Sequence, residues 1–244
     1  MDDVTAAKIL ISCLDLTSLN ESDNDETITA LCQRAVTPAG AVAAVCVYPR
    51  FVPLALQSLS GNIKIATVVN FPSGGADLSK LETEINRALK AGADEIDCVF
   101  PYRRFINGDI DNSRRYIEHA RQLCGTEHAL KVILETGELQ TTAKIKAATQ
   151  LCIDAGADFI KTSTGKTKVS ATPEAANAIL ETIKASKQDV GFKASGGIRT
   201  IDDAKKYLVL ANAIMGPDWA SPRHFRNGAS SLLTNLLATI NQGF

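Results

Sequence analysis

With 244 residues, 45% of them hydrophobic, the chain has enough apolar material for one large core, and no Pro-, Gly- or Ser-rich linker or break in composition divides it. A formal charge of −1 excludes an overall basic surface of the kind that binds nucleic acid, so any anion site must be local. The start, Met-Asp-Asp, lacks a basic leader region and the longest apolar run, 41–47, is far too short to cross a bilayer, so a cytoplasmic protein with no membrane partner is expected.

In chain order, residues 5–13 have helical spacing and run into a short strand at 14–17, and 25–35 is again helical. Residues 41–48 form a continuous apolar run ending at Pro49, as a strand buried on both faces does; 63–71 is the next, closed by Pro72-Ser73-Gly74-Gly75. A helix over 78–91 carries charges on one face and Leu81, Ile85 and Leu89 on the other. A strand at 95–100 ends at Pro101, and a helix follows from about 112 to 123. Next come a strand at 130–135, a helix at 141–155 with threonine at its cap, and a strand at 158–163. Thr172-Pro173 opens a helix to Ser186, proline being favoured at the first helical position. A strand at 190–194, a helix from 201 to about 215, a short strand near Phe225 and a helix at 230–240 complete eight strand and helix pairs.

Alternation of this kind also suits an open doubly wound sheet, but no GxGxxG follows the first strand and the interval stays at roughly 30 residues to the end. The expected fold is therefore α/β: a single-domain (β/α)₈ TIM barrel over 1–244 with an additional short N-terminal helix. Closure brings the C-terminal ends of all strands to one face, where Asp15, Cys46, Asn70, Asp97, Glu135, Lys161 and Lys193 are expected near one another.

Charged residues recur inside these apolar runs. Ala91-Gly92-Ala93-Asp94-Glu95-Ile96-Asp97 is echoed by Gly156-Ala157-Asp158-Phe159-Ile160-Lys161, so Asp97 and Lys161 occupy equivalent positions two intervals apart. Lys131 lies one interval before Lys161, and Lys193 one interval after it. A lysine amine is a nucleophile only when neutral, and its ordinary pKa of about 10.4 keeps it protonated at neutral pH. A second ammonium and a dry surround both disfavour the charged form. Lys193 can supply the first, and Phe159, Ile160 and Phe192 are the expected source of the second. Lys161 then becomes a candidate Schiff-base former, with Asp97 as the carboxylate that moves protons directly or through water. The plainer alternative is that Asp97, Lys131, Lys161 and Lys193 form an ion-pair network inside the barrel.

Three loops after successive strands suit an anion: Thr164-Gly165-Lys166, Ser195-Gly196-Gly197-Ile198-Arg199 and Asn227-Gly228-Ala229-Ser230-Ser231. The last two fall where barrels commonly bind phosphate with backbone N–H groups and a helix N-terminus. The six cysteines include no CxxC pair, which argues against a disulfide framework or a zinc cluster; Cys46, at a strand end, can touch substrate but reads more readily as a core thiol. Three unclustered histidines, His119, His128 and His224, give no metal site, and Arg223-His224-Phe225-Arg226 reads as local structure.

The strings Ala93-Asp94-Glu95-Ile96-Asp97-Cys98-Val99-Phe100-Pro101, Lys131-Val132-Ile133-Leu134-Glu135-Thr136, Asp158-Phe159-Ile160-Lys161-Thr162-Ser163-Thr164-Gly165 and Gly191-Phe192-Lys193-Ala194-Ser195-Gly196-Gly197-Ile198-Arg199 resemble those of the deoxyribose-phosphate aldolase family. Leu14-Asp15-Leu16-Thr17, Val45-Cys46-Val47-Tyr48-Pro49 and Gly228-Ala229-Ser230-Ser231 extend the likeness over nearly the whole chain. The resemblance implies a class I aldolase of deoxyribose phosphate catabolism that cleaves 2-deoxy-D-ribose 5-phosphate reversibly to D-glyceraldehyde 3-phosphate and acetaldehyde, with no metal or organic cofactor. It assigns the Schiff base to Lys161, the lowering of its pKa to Lys193 and proton handling to Asp97, with Asp15, Thr17 and Lys131 in support. Thr164, Gly165, Lys166, Gly196, Gly197, Gly228, Ser230 and Ser231 match substrate- and phosphate-binding positions, and Cys46 a substrate-adjacent one. Some relatives continue into a tail ending in tyrosine, whereas this sequence ends at Asn241-Gln242-Gly243-Phe244. The partners expected are small phosphorylated sugars and aldehydes, and the apolar faces of the outer helices leave a homodimer open. A phosphosugar isomerase or synthase on the same barrel, needing no nucleophilic lysine, and a catalytically silent phosphometabolite binder are the competing readings.

Overall fold

The computed structural model describes residues 1–242; residues 243–244, at the end where the tyrosine tail of some relatives is expected, lie outside the described residues. Helix α1 (Asp3–Ser12), capped by the Asp2 carboxylate on the Thr5 amide, leads into β1 (Leu14–Ser18). After α2 (Asp25–Gln33) come an antiparallel hairpin, β2 (Val36–Thr37) and β3 (Gly40–Ala41), and then β4 (Ala44–Val47). The single strand expected over 41–48 is thus split, because Ala41 pairs with Val36 in the hairpin and only 44–47 join the barrel. Pro38 and Gly40, the latter at φ 117°, give the chain the tight reversal that separates the two pairings.

A 3₁₀ turn at Pro49–Phe51 runs into α3 (Val52–Ser58), too short to show a period in the sequence. There follow β5 (Lys64–Val69), α4 (Leu78–Lys90), β6 (Glu95–Val99), α5 (Tyr102–Ile106), α6 (Ile110–Cys124), β7 (Ala129–Ile133) and α7 (Thr136–Leu139). The second half comprises α8 (Thr142–Asp154), β8 (Phe159–Lys161), α9 (Pro173–Ser186), β9 (Gly191–Ser195), α10 (Ile201–Met215), β10 (Phe225–Ala229) and α11 (Leu232–Gln242). Thr141, Thr172 and Thr200 cap α8, α9 and α10 by accepting from the amides of Lys144, Ala175 and Asp203. No helix among the described residues is long and apolar enough to cross a membrane.

Strands β1 and β4 to β10 close a parallel barrel in the order β1-β10-β9-β8-β7-β6-β5-β4, confirming the expected fold class. Alternation sends every second side chain toward the helices, where Val45, Ile96, Ile160 and Phe192 join the main core. The inward set divides in two. Leu19, Ala44, Cys46, Ala66 and Val68 form a separate apolar cluster with Tyr48 and Phe71 packed against it. Facing it are Asp15, Glu95, Asp97, Lys131, Lys161, Lys193 and Arg226, none more than 6% exposed.

Space for this interior depends on Gly191, which pairs with Phe159 across β8 and β9. A Cβ at Gly191 would lie 2.4 Å from the Phe159 ring, which is buried beneath the Arg226 guanidinium. Gly191→Ala is therefore expected to cost about 1–3 kcal/mol through displacement of that ring. Urea denaturation checks this, and an unchanged midpoint would show that the ring yields freely.

Candidate active site

Register alone brings the charged residues together. Lys161 pairs with Lys193 across β8 and β9, Asp97 pairs with Lys131 across β6 and β7, and Lys193 pairs with Arg226 across β9 and β10. The Lys161 Nζ donates to Asp97 Oδ2 at 2.7 Å, and Lys193 Nζ reaches the same oxygen at 2.7 Å. Lys193 also donates to Asp15 Oδ2. Lys131 Nζ lies 2.8 Å from Asp97 Oδ1, 2.6 Å from Glu95 Oε2 and 3.6 Å from Asp15 Oδ2.

Two members of this cluster, Glu95 and Arg226, were absent from the residues singled out in the sequence. Arg226 Nη1 donates to Asp15 Oδ1 at 2.6 Å, and its Nη2 to Glu95 Oε1 at 3.0 Å. The signal that could have found them is the strand period: Glu95 stands two residues before Asp97 and Arg226 two before Gly228, on the same inward face.

The electrostatics treat the three lysines differently. Burial disfavours the charged form of all of them. For Lys161, burial and the Lys193 ammonium outweigh the attraction of Asp97, and its pKa is lowered. For Lys193, burial is overcome by Asp15 and Asp97, and for Lys131 by Asp97, Glu95 and Asp15, so both pKa values are raised. Burial also opposes the charge on Asp97, but Lys131, Lys161 and Lys193 together hold its carboxyl well below the usual range. The dry surround does not come from Ile160 and Phe192 as expected, since these point outward into the main core. It comes from the barrel interior itself, including the buried wall of Leu19, Cys46, Ala66 and Val68.

Above the cluster opens a cavity of about 380 Å³. Lys161 and Thr17 line it, and all three glycine-containing loops contribute: Thr164, Gly165 and Lys166; Gly196 and Gly197; Gly228, Ser230 and Ser231. Asp15, Asp97, Lys131 and Lys193 lie wholly beneath, at 0% exposure. Cys46 is not part of the cavity lining but stands close to the Lys161 amine. It is buried in the apolar inner wall, where burial raises its thiol pKa and its charged neighbours are Asp97, Lys193 and Lys161.

Gly196, at φ 90°, is required by both conformation and space, because a Cβ there would meet the Ser170 side chain at 2.6 Å. At Gly228 a Cβ would stand 3.0 Å from Lys193 Cε and 3.1 Å from Ser195 Cβ, so the missing side chain leaves room for the lysine.

Glu135, at the end of β7, shapes the first loop. The Thr164 amide donates to Glu135 Oε1 at 3.3 Å and the Thr164 hydroxyl donates to Oε2, while the Lys166 amide donates to that hydroxyl at 3.1 Å. Lys166 Nζ in turn donates to the Leu19 carbonyl at 2.7 Å, tying the loop to the segment after β1. Burial raises the Glu135 pKa. Asn70 serves the loop after β5 instead, its Nδ2 donating at 2.8 Å to both Gly75 and Val99 carbonyls.

The histidines lie elsewhere: His224 Nε2 is 2.7 Å from Asp189 and its ring stacks on Trp219, and His119 is 3.9 Å from Glu82. All six cysteines are buried and free. Among the described residues no group of three or more His, Cys, Asp or Glu is placed to hold a metal ion.

A family model described as DeoC/LacD family aldolase matches residues 9–237. Among solved structures, a candidate deoxyribose-phosphate aldolase from Coccidioides immitis is 31% identical with a TM-score of 0.85, over 96% of this chain and 86% of that one. An apo candidate deoxyribose-phosphate aldolase from Toxoplasma gondii is 26% identical with a TM-score of 0.87, over 98% and 97% of the two chains. A tetrameric deoxyribose phosphate aldolase from Aeropyrum pernix is 25% identical with a TM-score of 0.76, over 100% and 98%.

Proposed function

The chain belongs to the DeoC/LacD family of aldolases, and from that premise we propose that it cleaves 2-deoxy-D-ribose 5-phosphate reversibly to D-glyceraldehyde 3-phosphate and acetaldehyde through an imine on Lys161. The observation that carries this reading is the position of one amine. Of the three clustered lysines, only Lys161 reaches the cavity, and it is the one whose neutral form the surroundings favour.

The neutral Lys161 amine attacks C1 of the open-chain sugar, and the carbinolamine loses water to give a protonated imine. Removal of the C3 hydroxyl proton breaks the C2–C3 bond, whose electrons pass into the imine to form an enamine. The departing fragment is D-glyceraldehyde 3-phosphate. A proton added at C2 restores the imine, and water then releases acetaldehyde and the free amine. Asp97, 2.7 Å from the amine and kept ionised by three cations, is the group that moves protons at nitrogen, directly or through a water. Lys193, held cationic by Asp15 and Asp97, keeps the neighbouring amine from recharging.

At the far end of the cavity the phosphate is assigned to the three loops. Their backbone amides, the Lys166 ammonium and the Ser230 and Ser231 segment just ahead of α11 supply donors and positive charge without a large basic surface. Lys166 acts there as a point charge that leaves the Leu19 carbonyl for the anion.

The test is reductive trapping. After incubation with acetaldehyde and sodium borohydride, digestion and mass spectrometry are expected to find a gain of about 28 Da, one ethyl group, on Lys161 alone. Label spread over surface lysines, or none, would count against the imine and in favour of a barrel that binds phosphorylated ligands for other chemistry.

A further inference from the structure

The buried charges are joined in a closed circuit. From Asp97 Oδ1 the path runs 2.8 Å to Lys131, 2.6 Å on to Glu95 Oε2, and from Glu95 Oε1 3.0 Å to Arg226. Arg226 reaches Asp15 Oδ1 at 2.6 Å, Asp15 Oδ2 pairs with Lys193, and Lys193 returns 2.7 Å to Asp97 Oδ2. Carboxylate and cation alternate all the way round, three of each. Lys161 is attached to this ring at a single point, Asp97 Oδ2.

Glu95 and Arg226 touch nothing in the cavity, so they do not hold substrate. A buried ion pair is also a poor device for stability, since apolar side chains of similar volume generally serve as well. Their effect lies in the arithmetic of the ring. We propose that Arg226 and Glu95 are positioning residues for the nucleophile: each cancels the charge the other brings, so the ring stays neutral without Lys161 and the Lys161 amine is the surplus cation of the cluster.

A proton on Lys161 gives the cluster a net charge of +1 in a dry interior; without it the charges cancel. The groups facing that amine are Asp97 from β6, Lys193 from β9 and Cys46 from β4. Behind them stand Lys131, Asp15, Glu95 and Arg226. This inference rests on Lys161 being the reacting amine, but its test does not. Acetic anhydride acylates neutral amines, so the pH dependence of acetylation at Lys161, followed by mass spectrometry, reports the protonation of that amine without any imine chemistry.

The sign of the shift distinguishes charge from packing. In Arg226→Met the ring retains two cations for three carboxylates, Lys161 becomes the missing partner, and its labelling at pH 7 is expected to slow at least about tenfold, one pKa unit. Glu95→Gln leaves a positive ring and is expected to speed labelling. The double variant restores neutrality, and Arg226→Lys keeps the cation; both are expected to label near the wild-type rate. Equal or same-direction shifts in the two single variants, or a double variant that fails to return, would overturn the proposal. If Arg226→Met does not fold, Glu95→Gln and the double variant still decide it. A wild-type protein that labels as proposed yet traps no acetaldehyde would refute the imine reading and leave the ring intact.

Discussion

Lys161→Ala is expected to remove aldol turnover by at least about 10⁴-fold while leaving the protein folded, with a denaturation midpoint close to that of the wild type. The first part follows from the covalent route: Lys131 and Lys193 do not reach the cavity, and Lys166, which does, is exposed in the anion loop and tied to the Leu19 carbonyl rather than set in the dry cluster. The second part follows from the ring. Asp97 keeps Lys131 at 2.8 Å and Lys193 at 2.7 Å when Lys161 is lost, so no carboxylate is stranded. Turnover by steady-state kinetics and stability by urea denaturation on the same preparation separate chemistry from folding. Retained turnover would favour an acid–base isomerase or synthase, in which the lysine is dispensable.

The parts of this molecule that were legible in the sequence are those where a pattern is violated locally. A lysine or aspartate inside an apolar, β-branched run stands out, and the echo of the Gly-Ala-Asp string placed Asp97 and Lys161 at matching strand positions. The barrel order followed from the same interval. Glu95 was hidden because a charge at the first residue of a strand looks like an exposed edge. Arg226 was hidden in Arg223-His224-Phe225-Arg226, where two polar neighbours make a third unremarkable; of these polar side chains only that of Arg226 is taken into the barrel on closure.

Cys46 shows the opposite limit. Its strand-end position was read correctly, but whether a strand end is open or roofed depends on loops from other strands, which no local period encodes. The same holds for α3, α5 and α7, each too short to show a period and packed against neighbouring helices. Glu135 joins Thr164 across a gap in sequence that only the β7–β8 register closes, so its hold on the first anion loop was invisible until the strands were paired.

Lys193→Leu tests whether Lys193 acts as a charge or as a spacer. Burial sets the direction of the Lys161 shift and Lys193 adds to it; Asp97 opposes both. Without the Lys193 ammonium, Asp15 and Asp97 each lose a partner and the ring retains only Lys131 and Arg226 against three carboxylates. Lys161 then becomes a required counter-ion. Its pKa is expected to rise, so the neutral amine accumulates only at higher pH, and the rising limb of kcat against pH moves up by at least about one unit. At pH 7 that shift alone lowers the rate at least about tenfold. Because a carboxylate is left short of a partner in a dry interior, the variant is also expected to lose about 3–5 kcal/mol of stability, although Arg226 at 2.6 Å limits the damage at Asp15. The two effects are separable: a spacer role predicts lower stability with the limb unmoved, whereas a charge role moves the limb. Lys193→Arg, which keeps the positive charge, should then hold the limb near its original position even if its bulk against Gly228 lowers kcat.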